Sequence, residues 1–213
     1  MTPRERLADT RLYLVCDARP RDFLDAALRG GADLIQLRDK SLSDEELVAA
    51  AKTFRAAADA HGALFILNDR PDLVDACDAD GVHVGQDDGT PAQAREAAGP
   101  DRIVGRSTHA PAQAHAADAD PDVDCMAVGP VHATPTKPGR PAVGLEYVKY
   151  AASTVSKPWF AIGGLDRETL PAVVNAGATR AVVVRAITEA TDPEQAAREL
   201  RALRETPVGS AKP

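Results

Sequence analysis

Cysteine is sparse in this chain, and positive charge is in deficit. The three cysteines, Cys16, Cys77 and Cys125, form no CxxC pair. An odd count at this density argues against a disulfide framework, and the apolar contexts of Cys16 and Cys125 fit reduced, buried thiols of a cytoplasmic protein. Lys and Arg number 25 against 32 Asp and Glu, for a net charge of −7. That balance argues against a nucleic-acid partner and against an anionic membrane surface. It also sets a condition: a bound phosphate must meet positive charge gathered locally or carried by a metal. No apolar run is long enough to span a bilayer, and the opening MTPRERLADT lacks an apolar signal core. No Cys/His spacing suits a metal cluster, and Ser107 lies in no nucleophile-elbow motif.

What is present is a regular alternation. With 44% hydrophobic and 27% charged residues over 213 positions, the composition fits one globular domain. Short apolar runs predict strands at 12–17 (LYLVCD), 33–39 (DLIQLRD), 64–69 (LFILND), 81–85 (GVHVG), 102–108 (RIVGRST), 125–131 (CMAVGPV), 159–164 (WFAIGG) and 180–187 (RAVVVRAI). Helical segments separate them: 22–29, 43–61, a short piece after Pro71, then stretches opening at Pro91 and Pro111, 145–154, one ending near Asn175, and 192–203. Ser43 followed by Glu46 reads as a capping box, and Gly62 and Gly177 as helix stops. The strand runs are mostly continuously apolar, as in a parallel sheet buried on both faces. Eight βα units predict a single-domain (β/α)8 TIM barrel over residues 1–206, with 207–213 a frayed tail. A doubly wound open sheet is the alternative. No GxGxxG follows the first strand, and eight evenly spaced units fit closure better.

Active sites of such barrels gather at the C-terminal ends of the strands. The second strand ends in Gln36, Arg38, Asp39 and Lys40, and the third in Asn68, Asp69 and Arg70. Gln86, Asp87 and Asp88 follow the fourth, and Ser107, Thr108 and His109 end the fifth. The sixth opens into a long break, GPVHATPTKPGRPAVG (129–144), where Pro135, Pro138 and Pro141 exclude helix. This break offers Thr134, Thr136, Lys137 and Arg140. Gly163 and Gly164 end the seventh strand, and Val184 and Arg185 lie on the eighth. The loops at the opposite rim show no comparable concentration of convergent polar groups.

Arg38, Lys40 and Lys137, joined by Arg70, Arg106 and Arg185, form a basic set suited to phosphate oxygens. Asp69 and Asp88 form an acidic pair on neighbouring strand ends. Beside phosphate-binding cations such a pair suits Mg2+, which takes one or two protein carboxylates plus phosphate oxygens and waters. The combination implies a diphosphate more than a single phosphate. The competing reading is that Arg38, Asp39, Asp69 and Arg70 are rim salt bridges. The Gly163–Gly164 pair suits a phosphate at the common site after strands seven and eight, and equally a plain strand-to-helix turn. His83, in an apolar strand, reads as a core or rim histidine rather than a base, while His109 and His132 are loop candidates.

IQLRDK (35–40), ILNDR (66–70), ADGVHVGQDD (79–88), GRSTH (105–109), VGPVHATPTKPG (128–139), AIGGL (161–165) and VVVRAI (182–187) together resemble the thiamine phosphate synthase family, in order, one motif per strand end. That family joins a pyrimidine diphosphate, 4-amino-2-methyl-5-(diphosphooxymethyl)pyrimidine, to a thiazole phosphate, with CO2 also lost when the thiazole is carboxylated. The resemblance implies that Gln36, Leu37, Arg38, Asp39, Lys40 and Asn68 hold the pyrimidine diphosphate. It implies Asp69 and Asp88 as ligands of Mg2+, and Ser107 and Lys137 as further contacts to the pyrimidine substrate or its diphosphate. Thr134, Pro135, Thr136, Gly164, Val184 and Arg185 would hold the thiazole phosphate. Lys137, Ser107, Arg38 and Lys40 would carry the catalysis. Many relatives have Ser where Arg185 stands, and an Arg there either pairs with the phosphate or points to solvent. Asp39 falls at a variable motif position.

The implied chemistry needs no protein nucleophile, which agrees with the sequence offering none. Its partners would be small molecules, with homo-oligomerisation left open. Two other functions compete. A related barrel that only isomerises the thiazole carboxylate phosphate needs no diphosphate or Mg2+ site, yet Asp69, Asp88, Lys137 and the QLRDK segment are all present here. A non-catalytic sensor of thiamine phosphate is the third reading, and no added regulatory segment accompanies it.

Overall fold

The computed structural model describes residues 2–134 and 141–205. Eight strands alternate with helices: α1 (Pro3–Leu7), β1 (Leu12–Cys16), α2 (Arg21–Arg29), β2 (Leu34–Leu37), α3 (Asp44–His61) and β3 (Leu64–Asn68). A 3-10 turn (Pro71–Leu73) stands before β4 (Gly81–Val84), α4 (Pro91–Ala98), β5 (Ile103–Thr108), α5 (Pro111–Ala119) and β6 (Cys125–Val128). The chain finishes with α6 (Gly144–Thr154), β7 (Trp159–Ile162), α7 (Leu170–Asn175), β8 (Ala181–Val183), α8 (Arg185–Thr188) and α9 (Pro193–Glu205). Every strand pairs in parallel with the next, and β8 returns to β1 through Leu12↔Ala181, Tyr13↔Val182 and Leu14↔Val183, so the barrel is closed.

Continuous apolar strands are buried on both faces, and the two faces build two cores. Leu12, Leu14 and Cys16 point outward beneath the helices. Tyr13 and Val15 point inward with Leu34, Leu64, Ile66, Ile103, Cys125, Phe160 and Val182. That inner set fills the lower barrel, as side-chain layers do in this architecture. Leu7 of α1 joins it from below. Arg6 of α1 donates to Gly62 O and Ala63 O, at 2.9 and 3.0 Å, and Arg4 pairs with Asp124 at 2.7 Å. The short helix is thereby tied across the floor of the barrel. Its capping box, Thr2 with Glu5, went unread in the sequence although the spacing was there.

Two strands end three or more residues short of expectation. The sixth strand stops at Val128 rather than running to residue 131, because Pro130 has no amide to give a neighbouring strand. Gly129 and Gly163 sit where no side chain fits: a Cβ would lie 2.1 Å from Ile162 O and 2.5 Å from Pro130 Cα, respectively. The eighth strand stops at Val183, so its last half is helix α8. The amides of Ile187 and Thr188 turn back onto Val184 O at 3.1 and 3.0 Å. An apolar run carries no mark of where the chain leaves the barrel, and here it leaves three residues after entering.

The opposite rim is also more charged than the sequence suggested, but its charges are consumed. Asp33 accepts the amides of Arg11 and Leu12, Asp80 that of Phe65, and Asp124 that of Val104. Arg201, Arg55 and Arg95 then pair with these three carboxylates in turn. Each aspartate therefore stitches a strand to its neighbour and carries its own counter-ion, a structural use.

Candidate functional site

A cavity of about 530 Å³ opens above the inner core at the C-terminal ends of the strands. Its floor is Tyr13, Val15 and Val182, continuous with the packed barrel. Its walls divide by chemistry. One side presents Gln36, Arg38, Asn68, His83 and Ser107 from β2 to β5. The other presents His132, Thr134, Gly163, Gly164, Val184, Arg185 and Ala186 from the loops after β6, β7 and β8.

On the first side, Gln36 is buried with its carboxamide bonded to the Tyr13 hydroxyl. Burial pushes the Tyr13 phenol well above its ordinary range, with Cys125 adding to the rise and Gln36 opposing it. Tyr13 is therefore a neutral hydrogen-bonding partner that fixes how Gln36 faces the cavity. Ser107 is buried, and its hydroxyl stands 3.0 Å from His83 Nε2. Arg38 lines the cavity half-buried, and no described residue accepts a hydrogen bond from it.

Beside Asn68, at the rim, Lys40 pairs with Asp69 at 2.9 Å. The Asp69 carboxyl also faces the side chains of Asp88 and Asn68. Burial pushes it up, but the hydrogen bond and charge of Lys40, with Asp88 and Asn68 acting in the same direction, hold it below the usual range. The Asp69 backbone is left-handed, at φ 61, and its amide donates to His83 O at 2.9 Å. Asp tolerates this region better than most residues, yet it is uncommon there and aims the carboxylate at Asp88. Asp88 Oδ2 accepts the Gly85 amide at 3.0 Å.

These observations bear on a metal. Among the described residues no group of three or more His, Cys, Asp or Glu side chains is placed to hold one. The described residues alone therefore offer no closed site of the zinc kind. Two adjoining carboxylates do fit Mg2+, which keeps waters and takes the remaining oxygens from a phosphate-bearing ligand. Asp69 and Asp88 are the residues that would hold it.

On the second side, Gly163 and Gly164, at φ 106 and 63, turn the backbone between β7 and α7, against the loop that follows β6. A Cβ on Gly164 would approach His132 Cβ to 2.7 Å. The first amides of α8 lie at the cavity wall, and opening amides of a helix have no intrahelical acceptor. Arg185 is exposed at the lip and meets no described partner.

Several expectations change on this geometry. Arg70 leaves the basic set: it forks onto Asp44 and Asp72, away from the cavity. Arg106 leaves it too, donating to the carbonyls of Gly85 and Gly89. The Leu37 side chain packs in the outer core, so it faces the helices rather than a ligand. Asp39 caps the turn through the Ser41 and Ala18 amides and does not line the cavity. His83, read as a core or rim residue, is buried at the cavity wall, and His109 and His132 join it there. Tyr13 was missed, although its alternation with Leu12 and Leu14 puts it inside the barrel. Asp166, Thr169 and Glu189 also line the cavity and were not singled out. The Asp166 carboxyl is occupied in capping Glu168 and Thr169. Pro135, Thr136, Lys137 and Arg140 lie outside the described residues.

Comparison with known proteins agrees with this arrangement. Residues 12–187 match the family model for thiamine monophosphate synthase. The thiamine-phosphate synthase of Thermobifida fusca is 52% identical over 206 residues, covering 94% of each chain. That of Streptomyces avermitilis is 50% identical over 204 residues, 93% of this chain and 95% of its own. A solved thiamine phosphate pyrophosphorylase from Pyrococcus furiosus superposes with a TM-score of 0.84 at 32% identity, covering 95% of this chain and 97% of that one.

Proposed function

The chain belongs to the thiamine monophosphate synthase family and is a transferase of thiamine biosynthesis, and on that premise we propose its substrates and mechanism. It joins 4-amino-2-methyl-5-(diphosphooxymethyl)pyrimidine to 4-methyl-5-(2-phosphoethyl)thiazole, or to the 2-carboxy form with loss of CO2, releasing thiamine phosphate and diphosphate. The observation that carries this reading is the two-sided cavity. Polar side chains line one side, with the Lys40–Asp69–Asp88 group next to them at the rim and outside the lining, and a glycine turn with a helix start stands on the other.

In this reading Gln36, Asn68 and Ser107 orient the aminopyrimidine, with Tyr13 and His83 holding Gln36 and Ser107 in place. Arg38, Lys40 and Lys137 hold the diphosphate. The CH2–O bond breaks with its electron pair going to the diphosphate, and the ring amino group stabilises the resulting pyrimidinylmethyl cation. The thiazole nitrogen lone pair then forms the new C–N bond. When bound at Asp69 and Asp88, Mg2+ supplies positive charge to the departing diphosphate oxygens. Arg38 and Lys40 add preorganised charge at the same place, in a pocket that limits water around the cation. Gly164, Val184, Arg185, Thr134 and Thr136 seat the thiazole phosphate so that its nitrogen lies near the nascent carbon. No protein nucleophile takes part.

The same reading treats residues 1–206 as one catalytic domain acting in the cytoplasm on small molecules. Three buried free thiols support the location. Among the described residues no helix is long and apolar enough to cross a membrane. The test is direct: purified protein, both substrates and Mg2+, with thiamine phosphate and diphosphate followed by chromatography. Product that vanishes in EDTA and returns with Mg2+ supports the mechanism. No thiamine phosphate, or a reaction indifferent to EDTA, overturns it.

A further inference from the structure

Arg106 looks from the sequence like a phosphate ligand, yet its guanidinium never reaches the cavity. It rises from β5 opposite Val84 of β4. One terminal nitrogen donates to Gly85 O at 2.7 Å and to Gly89 O at 2.8 Å, and the other lies 3.5 Å from Gln86 O. These carbonyls belong to the short loop that carries Asp88. The loop is tightly wound: the Asp88 amide donates to Gly85 O at 3.3 Å, and Asp88 Oδ2 accepts the Gly85 amide. A Cβ on Gly85 would lie 2.5 Å from that oxygen, and Gly89 has φ 98. A single side chain thus bridges both ends of the loop.

This strap has an electrostatic task. Asp88 is held against Asp69, and two carboxylates at contact repel unless a proton or cation lies between them. The Arg106 fork resists that repulsion together with the loop's own bonds and the Gln86 side chain, which donates to Ser107 O at 2.6 Å. Burial lowers the affinity of the Arg106 guanidinium for its proton, while Asp88, Asp120 and Asp87 act in the other direction. The positive charge therefore lies in the field of the very carboxylate it positions.

Building on the Mg2+ reading above, we propose that Arg106 is a positioning residue that presets Asp88 against Asp69 for a divalent cation. Its removal then weakens cation uptake without weakening metal-free recognition of the diphosphate. Partners of this kind behind metal ligands are worth about 10- to 100-fold in affinity.

The experiment compares the full-length wild type, Arg106→Ala and Arg106→Lys by calorimetry, titrating Mg2+ in the presence of inorganic diphosphate. Inorganic diphosphate is also titrated alone in EDTA, and amide exchange of the 85–89 loop is followed. Arg106→Ala is expected to bind Mg2+ about 10-fold more weakly, with faster exchange in the loop and unchanged diphosphate affinity in EDTA. Arg106→Lys, which keeps the charge but not the fork, recovers only part of the Mg2+ affinity. Equal Mg2+ affinity in the wild type and both variants overturns the strap alone. Equal losses with and without Mg2+ overturn it as well, since a general loosening of the barrel would do that. A wild type that takes up no Mg2+ with diphosphate overturns the metal reading beneath it.

Discussion

Lys40 and Asp69 meet at 2.9 Å across the tops of β2 and β3. The ammonium is exposed and the carboxylate largely enclosed, so the pair is asymmetric: Lys40 tunes Asp69 more than it adds stability. Asp69, held below its usual range, contributes to stability above the unfolded carboxylate value of about 4 and loses that contribution as pH falls through its folded value. Lys40→Met removes the largest opposing influence on burial. The expected outcome is an Asp69 carboxyl that titrates at higher pH, followed by carbon NMR, with the acid limb of the rate profile moved the same way. An unmoved titration would show that Asp88 and Asn68 alone set the value.

Arg38→Ala separates stability from function. The guanidinium has no partner among the described residues, so no hydrogen bond to any of them is lost. Thermal melting should change by no more than about 0.5 kcal/mol in stability. The rate should fall on the order of 10²- to 10³-fold, as for loss of one preorganised charge. A large stability loss with a wild-type rate is the contrary result.

Two glycines make a matched pair. Gly62 and Gly163 both have positive φ, at 63 and 106. A Cβ on Gly62 meets nothing within 4 Å, whereas one on Gly163 meets Pro130 at 2.5 Å. Gly62→Ala should cost only the left-handed penalty, about 1 kcal/mol. Gly163→Ala adds a backbone clash and should cost at least about 3 kcal/mol. Denaturant unfolding of the two variants side by side measures the difference.

Arg185→Ser tests the exposed guanidinium at the lip. If it reaches the thiazole phosphate, KM for that substrate should rise about 10-fold, the equivalent of 1.4 kcal/mol. The KM for the pyrimidine diphosphate and the melting temperature should stay put. Unchanged KM values for both would place Arg185 in solvent.

The barrel was legible because eight mostly apolar runs recur at even spacing between helical segments, with the Ser43–Glu46 capping box and the Gly62 and Gly177 stops marking some boundaries. The eighth overran because VVVRAI is apolar on both sides of the point where the strand ends. Only packing against β1 and β7 decides that point. In the site, Arg38, Asp69 and Ser107 could be placed from strand ends alone. Arg70 and Arg106 could not, since what removes them is a contact with Asp44 and Asp72, or with two carbonyls, that no local pattern announces. His83 was read as an ordinary core or rim histidine because its flanking valines are core. It is indeed buried and bonded to Ser107, and its register opposite Asn68 and Gly105 also places it at the cavity wall.

The packed inner core beneath Tyr13, with Leu7 set against it from below, makes the cavity a well with a sealed floor. Molecules that share such a well share one doorway. A barrel plugged from below therefore exchanges ligands on the side of the molecule that carries Lys40, Asp69 and Asp88.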